Sequence, residues 1–240
     1  MTKYIAEQGR CGDHAKGNRR MPEIVNISDL AGFCAAFGSL GSSVGSRTGE
    51  DKRTQDEKEW FVVRRFLKVA LREEILKAPI SIKKQTPPLT DFGLEMGNAA
   101  GHLEVTEATD PADQKEMTAF ERSGNSMMLL GEFGGRFSDG ASQPGRTWAS
   151  DVIDAINRKR GKAVFEKSDI GRHLVIYPNS NASSLVNDAE DELTAFGLLG
   201  ELIEANLRDY IEATNGCLVH VLGKELVGFD VLGTACLVRR

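Results

Sequence analysis

Asp91 and Glu104 are the residues of this 240-residue chain best placed to do chemistry together. They stand 13 positions apart in the stretch Thr90–Thr109, TDFGLEMGNAAGHLEVTEAT. Two runs of alternating character flank Gly97, Asn98 and Gly101 there, a pattern that predicts a hairpin. Successive side chains of a strand take opposite faces, so Glu104 and Thr106 share one face with His102. Leu103, Val105 and Glu107 take the other. Two carboxylates brought together from neighbouring strands can hold a divalent cation. An ion so held polarises a phosphate and lowers the pKa of bound water. Mg²⁺ or Mn²⁺ suits such a pair, since Mg²⁺ needs only a few carboxylate oxygens and completes its octahedron with water and substrate.

The elements that must position these residues are legible from periodicity. Asp56–Lys77 carries an apolar stripe of Trp60, Val63, Phe66, Leu67, Ala70 and Leu71, which predicts an amphipathic helix. Glu59 falls on the row of Val63, Phe66 and Ala70 and so points inward, with Glu57 as the other candidate one turn before Phe61. Asp56, Glu57 and Glu59 also suit the positive end of the helix dipole. Pro79, Pro87 and Pro88 end this helix and frame a short strand, ISIKKQ. A short helix with Ser28 as its cap is expected around Leu30–Phe37, and another after Asp110. Residues 123–147 read as a long glycine-rich connection.

Ser150 is the expected cap of the next helix, SDVIDAINRKRGK, whose core face of Val152, Ile153 and Ile156 continues to Lys159 or Arg160. Gly161 is placed to end it. RHLVIYP then reads as a strand buried on both faces. A long helix with Leu193, Phe196, Leu199, Leu202, Ile203, Leu207 and Tyr210 in its stripe follows, with Gly197 and Gly200 as points where it could bend. CLVHVLG and ACLVRR close the chain as strands. The order helix, three strands, helix, buried strand, helix, strand predicts an α/β fold: a mixed central sheet with helices on both faces. Residues 1–55 are expected to form an N-terminal extension and a Gly/Ser-rich linker, and residues 56–240 the folded domain.

Composition narrows the function classes. A net charge of −5 and a pI near 5.5 argue against a generally basic nucleic-acid coat, though not against a local basic groove. No apolar run approaches a membrane span, and the first 21 residues lack the apolar core of a signal peptide, so a cytoplasmic protein with no membrane partner is expected. Cys11, Cys34, Cys217 and Cys236 form no Cys-x-x-Cys pair, which leaves neither a disulfide framework nor a zinc knuckle. GSLGSSVGSRTGE lacks the Gly-Lys-Ser/Thr of a P-loop. His102 and His220 stand isolated in the sequence, and His173 and Tyr177 read as packing or surface residues.

Thr90-Asp91, Glu104-Val105-Thr106, AINRKRGK and HLVIYPN together resemble the PD-(D/E)xK nuclease-like, or restriction-endonuclease-like, superfamily, whose core runs α-β-β-β-α-β. The likeness covers roughly Glu57–Asn179. It implies that Asp91 and Glu104 bind Mg²⁺ or Mn²⁺, with the Val105 carbonyl as a further ligand. Thr106 stands where the motif lysine belongs. Some branches carry that lysine on the following helix, which makes Lys159 the candidate here and Lys162 the next. Glu59 is then a group that accepts a metal-bound water. The resemblance implies a metal-dependent nuclease acting on DNA or RNA, or an inert relative that keeps the fold as a binding or structural module. Such folds often dimerise, so a homodimer is a further expectation. Arg64, Arg65, Lys68 and the cations from Arg158 to Lys162 are the candidate phosphate contacts.

Overall fold

The computed structural model describes residues 21–37, 54–87, 89–109, 115, 119, 144–159, 171–178, 186, 189–214, 216–231 and 234–239. In chain order the elements are β1 (Ile24–Ile27), α1 (Phe33–Ala36), α2 (Gln55–Arg72), β2 (Ile80–Lys84), β3 (Phe92–Met96) and β4 (Ala99–Ala108). Then follow α3 (Pro144–Lys159), β5 (Arg172–Pro178), α4 (Ala189–Ala205), α5 (Leu207–Thr214), β6 (Leu218–Leu222), β7 (Leu226–Val231) and β8 (Thr234–Arg239). The eight strands of the described residues form one mixed sheet whose spatial order follows the sequence from β1 to β8. β4, β5 and β6 are parallel to one another and every other pairing is antiparallel. The α/β class and the mixed sheet expected from the sequence are both present.

Alternation along the strands divides the apolar residues between two cores. Ile80, Ile82, Phe92, Leu94, Leu103, Val175 and Leu222 pack beneath α2 with Trp60, Val63, Phe66 and Leu67. Leu174, Ile176, Val219 and Val221 turn the other way, against Trp148, Val152 and Ile156 of α3 and Phe196 of α4. Helices therefore cover both faces. The three central strands are sealed above and below, as parallel strands require.

Several boundaries differ from expectation. Ile24–Ile27 pairs with β2, and Phe33 and Phe37 join the core beside Trp60, so residues 24–37 belong to the folded unit rather than to an extension. Val25 and Ile27 supply the apolar face that draws this edge strand in. The cap of α1 is Gly32, whose N–H donates to Asp29 Oδ1, not Ser28. α2 begins in a capping box, in which Glu57 N–H donates to Thr54 Oγ1 at 3.1 Å and Thr54 N–H to Glu57 Oε2 at 2.7 Å. That reciprocal bond occupies Glu57. The helix ends at Arg72, before the prolines, because Glu74 takes a left-handed φ of 56° and the Leu76 N–H turns back to the Ala70 carbonyl. α3 starts at Pro144, so Ser150 lies inside the helix instead of capping it. α4 and α5 part at Asn206 and not at Gly197 or Gly200. Asn206 donates to the Leu202 carbonyl from its side chain while its own carbonyl accepts from Tyr210, closing one helix and starting the next. Of the helix expected after Asp110 only Lys115 and Ala119 are described, both helical; Gly161 and the 123–143 stretch lie outside the described residues.

His173 on β5 and His220 on β6 stack under Phe66 with centroids 5.2 Å apart, and their Nδ1 and Nε2 atoms lie 2.9 Å from each other. Both rings are buried. Burial pushes the His173 imidazole down to about 4, and burial together with the His173 charge pushes His220 well below its ordinary value. The neutral pair stabilises the fold above the unfolded histidine pKa of about 6.5. As pH falls from there toward 4 the unfolded chain binds protons the folded one refuses, so stability is lost. Urea unfolding is expected to give a protein less stable at pH 5 than at pH 7 by roughly 2 kcal/mol from His173 alone. Converting both histidines to asparagine should flatten that slope. Equal stability of the unmodified protein at the two pH values would contradict a neutral buried pair.

Candidate active site

The β3–β4 hairpin turns at Gly97 and Asn98, and the left-handed φ of 60° at Gly97 is a conformation glycine reaches without a Cβ penalty. Its register pairs Phe92 with Leu103, and one further step sets Asp91 opposite Glu104. Residues directly opposite in an antiparallel pair share a face. Leu103 goes into the core beneath α2, so Glu104 faces the α3 side, as alternation predicted. Asp91 is fixed from both directions. Its Oδ2 accepts from the Val105 N–H at 2.8 Å, and its own N–H donates to Glu104 Oε2 at 3.3 Å. Its carbonyl accepts from the Gln85 N–H at 2.9 Å.

α3 brings the third member. Trp148, Val152, Ala155 and Ile156 bury one face of this helix, and Lys159 follows on that face at its C-terminal end. The Lys159 ammonium donates to Glu104 Oε1 at 2.5 Å and to the Val105 carbonyl at 3.4 Å. The lysine side chain is 13% exposed and the Glu104 side chain 7%, so the pair is well removed from water. Arg158, one residue earlier and exposed, donates to the Glu107 carbonyl at 3.0 Å. The hairpin thus supplies two carboxylates and a carbonyl oxygen, and the helix supplies an ammonium.

One ammonium does not balance two acids. The Asp91 carboxyl is raised above its usual range, first by desolvation and then by the Glu104 charge, against the opposing pull of the Val105 N–H, Lys159 and Lys84. A site that disfavours its own negative charge in this way is suited to an added cation. The donors are all hard oxygens, which match Mg²⁺ or Mn²⁺ rather than a thiol- or imidazole-seeking metal. Among the described residues no cluster of three or more Asp, Glu, His or Cys side chains is arranged to hold a metal ion. Two carboxylates and the Val105 carbonyl would therefore leave the rest of the shell to water and substrate oxygens, as Mg²⁺ tolerates.

Glu59 is buried, as its row on the helix predicted, but its carboxylate is engaged by another lysine. Lys84 of β2 donates to Glu59 Oε2, and the Gln55 side chain donates to Oε1 at 2.8 Å. Lys84 also lies 3.7 Å from Asp56 Oδ1 and 4.6 Å from the Phe92 ring centroid. This lysine is not among the site residues expected from the sequence. Its only signal was its position in ISIKKQ, where Ile80 and Ile82 set an inward-facing alternation that Lys84 continues.

Lys162 lies outside the described residues. No family model, no curated protein and no solved structure matches the chain. Among the described residues no helix is long and apolar enough to cross a membrane.

Two further side chains bear on the site. Thr90 Oγ1, in the residue before Asp91, lies 2.7 Å from Gln85 Oε1, 3.1 Å from the Phe92 carbonyl and 3.2 Å from His102 Nδ1. His102, isolated in the sequence, is therefore tied to the backbone that carries Asp91. Arg65 leaves the set of phosphate contacts. Its guanidinium lies over Phe61 and Tyr177 at 5.3 and 5.7 Å and reaches the Gly223 carbonyl at 3.4 Å, so it packs the fold. Lys68 is exposed on α2 and free of that constraint.

Proposed function

We propose that this chain is a divergent PD-(D/E)xK nuclease-like protein, a metal-dependent hydrolase of phosphodiester bonds in nucleic acid. The observation that carries the reading is the meeting of Asp91, Glu104, the Val105 carbonyl and Lys159 at one end of a hairpin. The described elements α2, β2, β3, β4, α3 and β5 support it, since they follow the superfamily core's order, with helical Lys115 and Ala119 between β4 and α3. A divalent ion held by Asp91, Glu104 and the Val105 oxygen would supply a polarised phosphate and a water of lowered pKa. Around it the chain's own groups divide the work. The Val105 N–H orients Asp91, and the Asp91 N–H orients Glu104. Lys159 stands in for the missing motif lysine, its ammonium held where negative charge builds up on the phosphate. Exposed Arg158, beside it, is a contact for the nucleic-acid backbone. The proposal carries with it a cytoplasmic location and self-association as a homodimer.

One observation favours a second reading, an inert nuclease-fold module that binds or scaffolds. Glu104 has one oxygen on Lys159 and the other on the Asp91 N–H, an arrangement complete without a cation. Incubating purified protein with single- and double-stranded DNA and RNA, in Mg²⁺ or Mn²⁺, separates the two. Ion-dependent cleavage supports the enzyme. No cleavage of any polymer with either ion leaves the module.

A further inference from the structure

The face of the sheet that carries Asp91 and Glu104 is covered unevenly. Alternation turns Ile80, Ile82, Phe92, Leu94 and Leu103 toward α2, so Ser81, Lys83, Gly93, Glu95, Ala100 and His102 face the other way, with the two acids. α3 and α4 cover that face only from Ala108 and Leu174 to Val221. Over β1, β2, β3 and the first half of β4 it is open among the described residues. Asn26, Lys83, Glu95 and Ala100 are exposed there, and Ser81, Gly93 and His102 half-buried.

Strand register sets the charges of this shelf in order. Lys83 pairs with Gly93, Gly93 with His102 and His102 with Arg172, one row across four strands. The row lies two residues, about 7 Å, from that of Asp91 and Glu104. Exposed Lys83 and half-buried Arg172 bring positive charge to it, and it contains no acid. Glu95 stands in the next row out, with Ser81 and Ala100. On the other side of Glu104 come Lys159 and exposed Arg158. Cations therefore flank the two acids along the strand. Small side chains leave the shelf flat, and Ile24 is the one large apolar residue these strands expose on it among the described residues. A protein partner would need an apolar centre there, whereas a hydrated polyanion needs positive charge and little else.

We propose that this shelf receives the nucleic-acid strand that runs into the metal site, with Lys83 on its phosphates and Arg172 adding charge in the same row. The inference rests on the nucleic-acid reading above and gives the substrate a place, over β2 and β3 on the side away from α2. Lys68, exposed on α2, lies behind the sheet and takes no part.

Fluorescence anisotropy of the full chain tests it, with a labelled single-stranded DNA and the matching RNA, Ca²⁺ in place of Mg²⁺, and salt varied. Lys83→Ala should lower the slope of log affinity against log salt by about 0.7, the share of one phosphate contact on a single strand. Lys68→Ala, the same loss of charge behind the sheet, should leave slope and affinity alone. Glu95→Gln should tighten binding, a gain that misfolding does not imitate. Ala100→Glu sets a second acid beside Glu95 and should weaken binding while Mn²⁺ titration finds the metal site unchanged. No effect of Lys83→Ala, equal losses in Lys83→Ala and Lys68→Ala, or an affinity unchanged or lower in Glu95→Gln would overturn the placement and leave the nuclease reading intact. So would an Ala100→Glu chain that sediments as a monomer where the unmodified chain is a dimer, since the shelf would then seat a second copy. An unmodified chain that binds neither polymer removes the nucleic-acid reading itself and this inference with it.

Discussion

Glu104→Ala is expected to abolish Mg²⁺- or Mn²⁺-dependent cleavage and to weaken Mn²⁺ binding by more than about a hundredfold, beyond what losing an outer-shell partner costs a metal site. The substitution removes one of two carboxylates and takes from the Lys159 ammonium the acceptor it has at 2.5 Å. Breaking a largely buried pair from one side also costs stability, roughly 3 kcal/mol. Glu104→Gln keeps an acceptor for Lys159 and should lose metal and activity with a smaller drop in stability. Asp91→Asn separates function from stability further. Desolvation and the Glu104 charge oppose ionised Asp91, so the metal-free asparagine variant should melt higher, by roughly 2–4 °C, while its Mn²⁺ affinity collapses. The sign follows from a raised carboxyl pKa, which makes the charged form a cost once pH exceeds it. Calorimetric titration beside a thermal melt reads both quantities. A metal-free Asp91→Asn protein that melts lower would show the carboxylate to be a structural group, and Mn²⁺ affinity unchanged in Glu104→Ala would end the ligand assignment.

The largest purely structural effect is expected at Glu192, in the first turn of α4 and 2% exposed. Its carboxylate accepts from three successive backbone N–H groups of the β6–β7 turn: Lys224, Glu225 at 2.8 Å and Leu226 at 2.8 Å. No side chain could be added at the adjoining Gly223, since a Cβ there would stand 2.9 Å from Glu192 Oε1 and 2.8 Å from the Leu226 carbonyl. Truncation to Glu192→Ala strands the three donors where only part of the turn can be rewetted. A loss of about 3 kcal/mol is expected. For a chain of this length that lowers Tm by roughly 6–12 °C. Glu192→Gln keeps one acceptor oxygen and should fall between. A melt of Glu192→Ala within 2 °C of the unmodified protein, on the order of half a kcal/mol, would show that the turn does not depend on this clasp.

How much of this was legible in the sequence follows from the range of the signals. Apolar periodicity located α2, the hairpin and β5, because the stripe from Trp60 to Leu71 and the run Leu174–Ile176 are local patterns. Lys159 was reachable for the same reason, being one turn beyond Ile156 on a buried face. β1 was passed over as part of a polar extension, since four residues with two inward side chains carry little periodic signal. β7 carries no strand signal of this kind, because Gly228 interrupts its alternation. The glycine is there for Phe196, whose ring would lie 2.5 Å from any Cβ at that position. The start of α3 differs from expectation because serine favours a cap on local grounds, and helix packing overrides that preference. Pairs remote in sequence were invisible: Lys84 with Glu59, His173 with His220, Glu192 with the 224–226 backbone. Each is a polar partner chosen by the tertiary fold, and no periodicity announces it.

A sheet whose strands sit side by side in the order they are made can be laid down as the ribosome delivers them. The hairpin that pairs the two acids is finished when Ala108 emerges, whereas the lysine that answers them arrives only with the end of α3. A nascent chain halted between those points has Asp91 and Glu104 without the Lys159 charge. If the two acids hold a divalent ion as proposed, ions in the surrounding medium would steady the half-made sheet by mass action before Lys159 arrives.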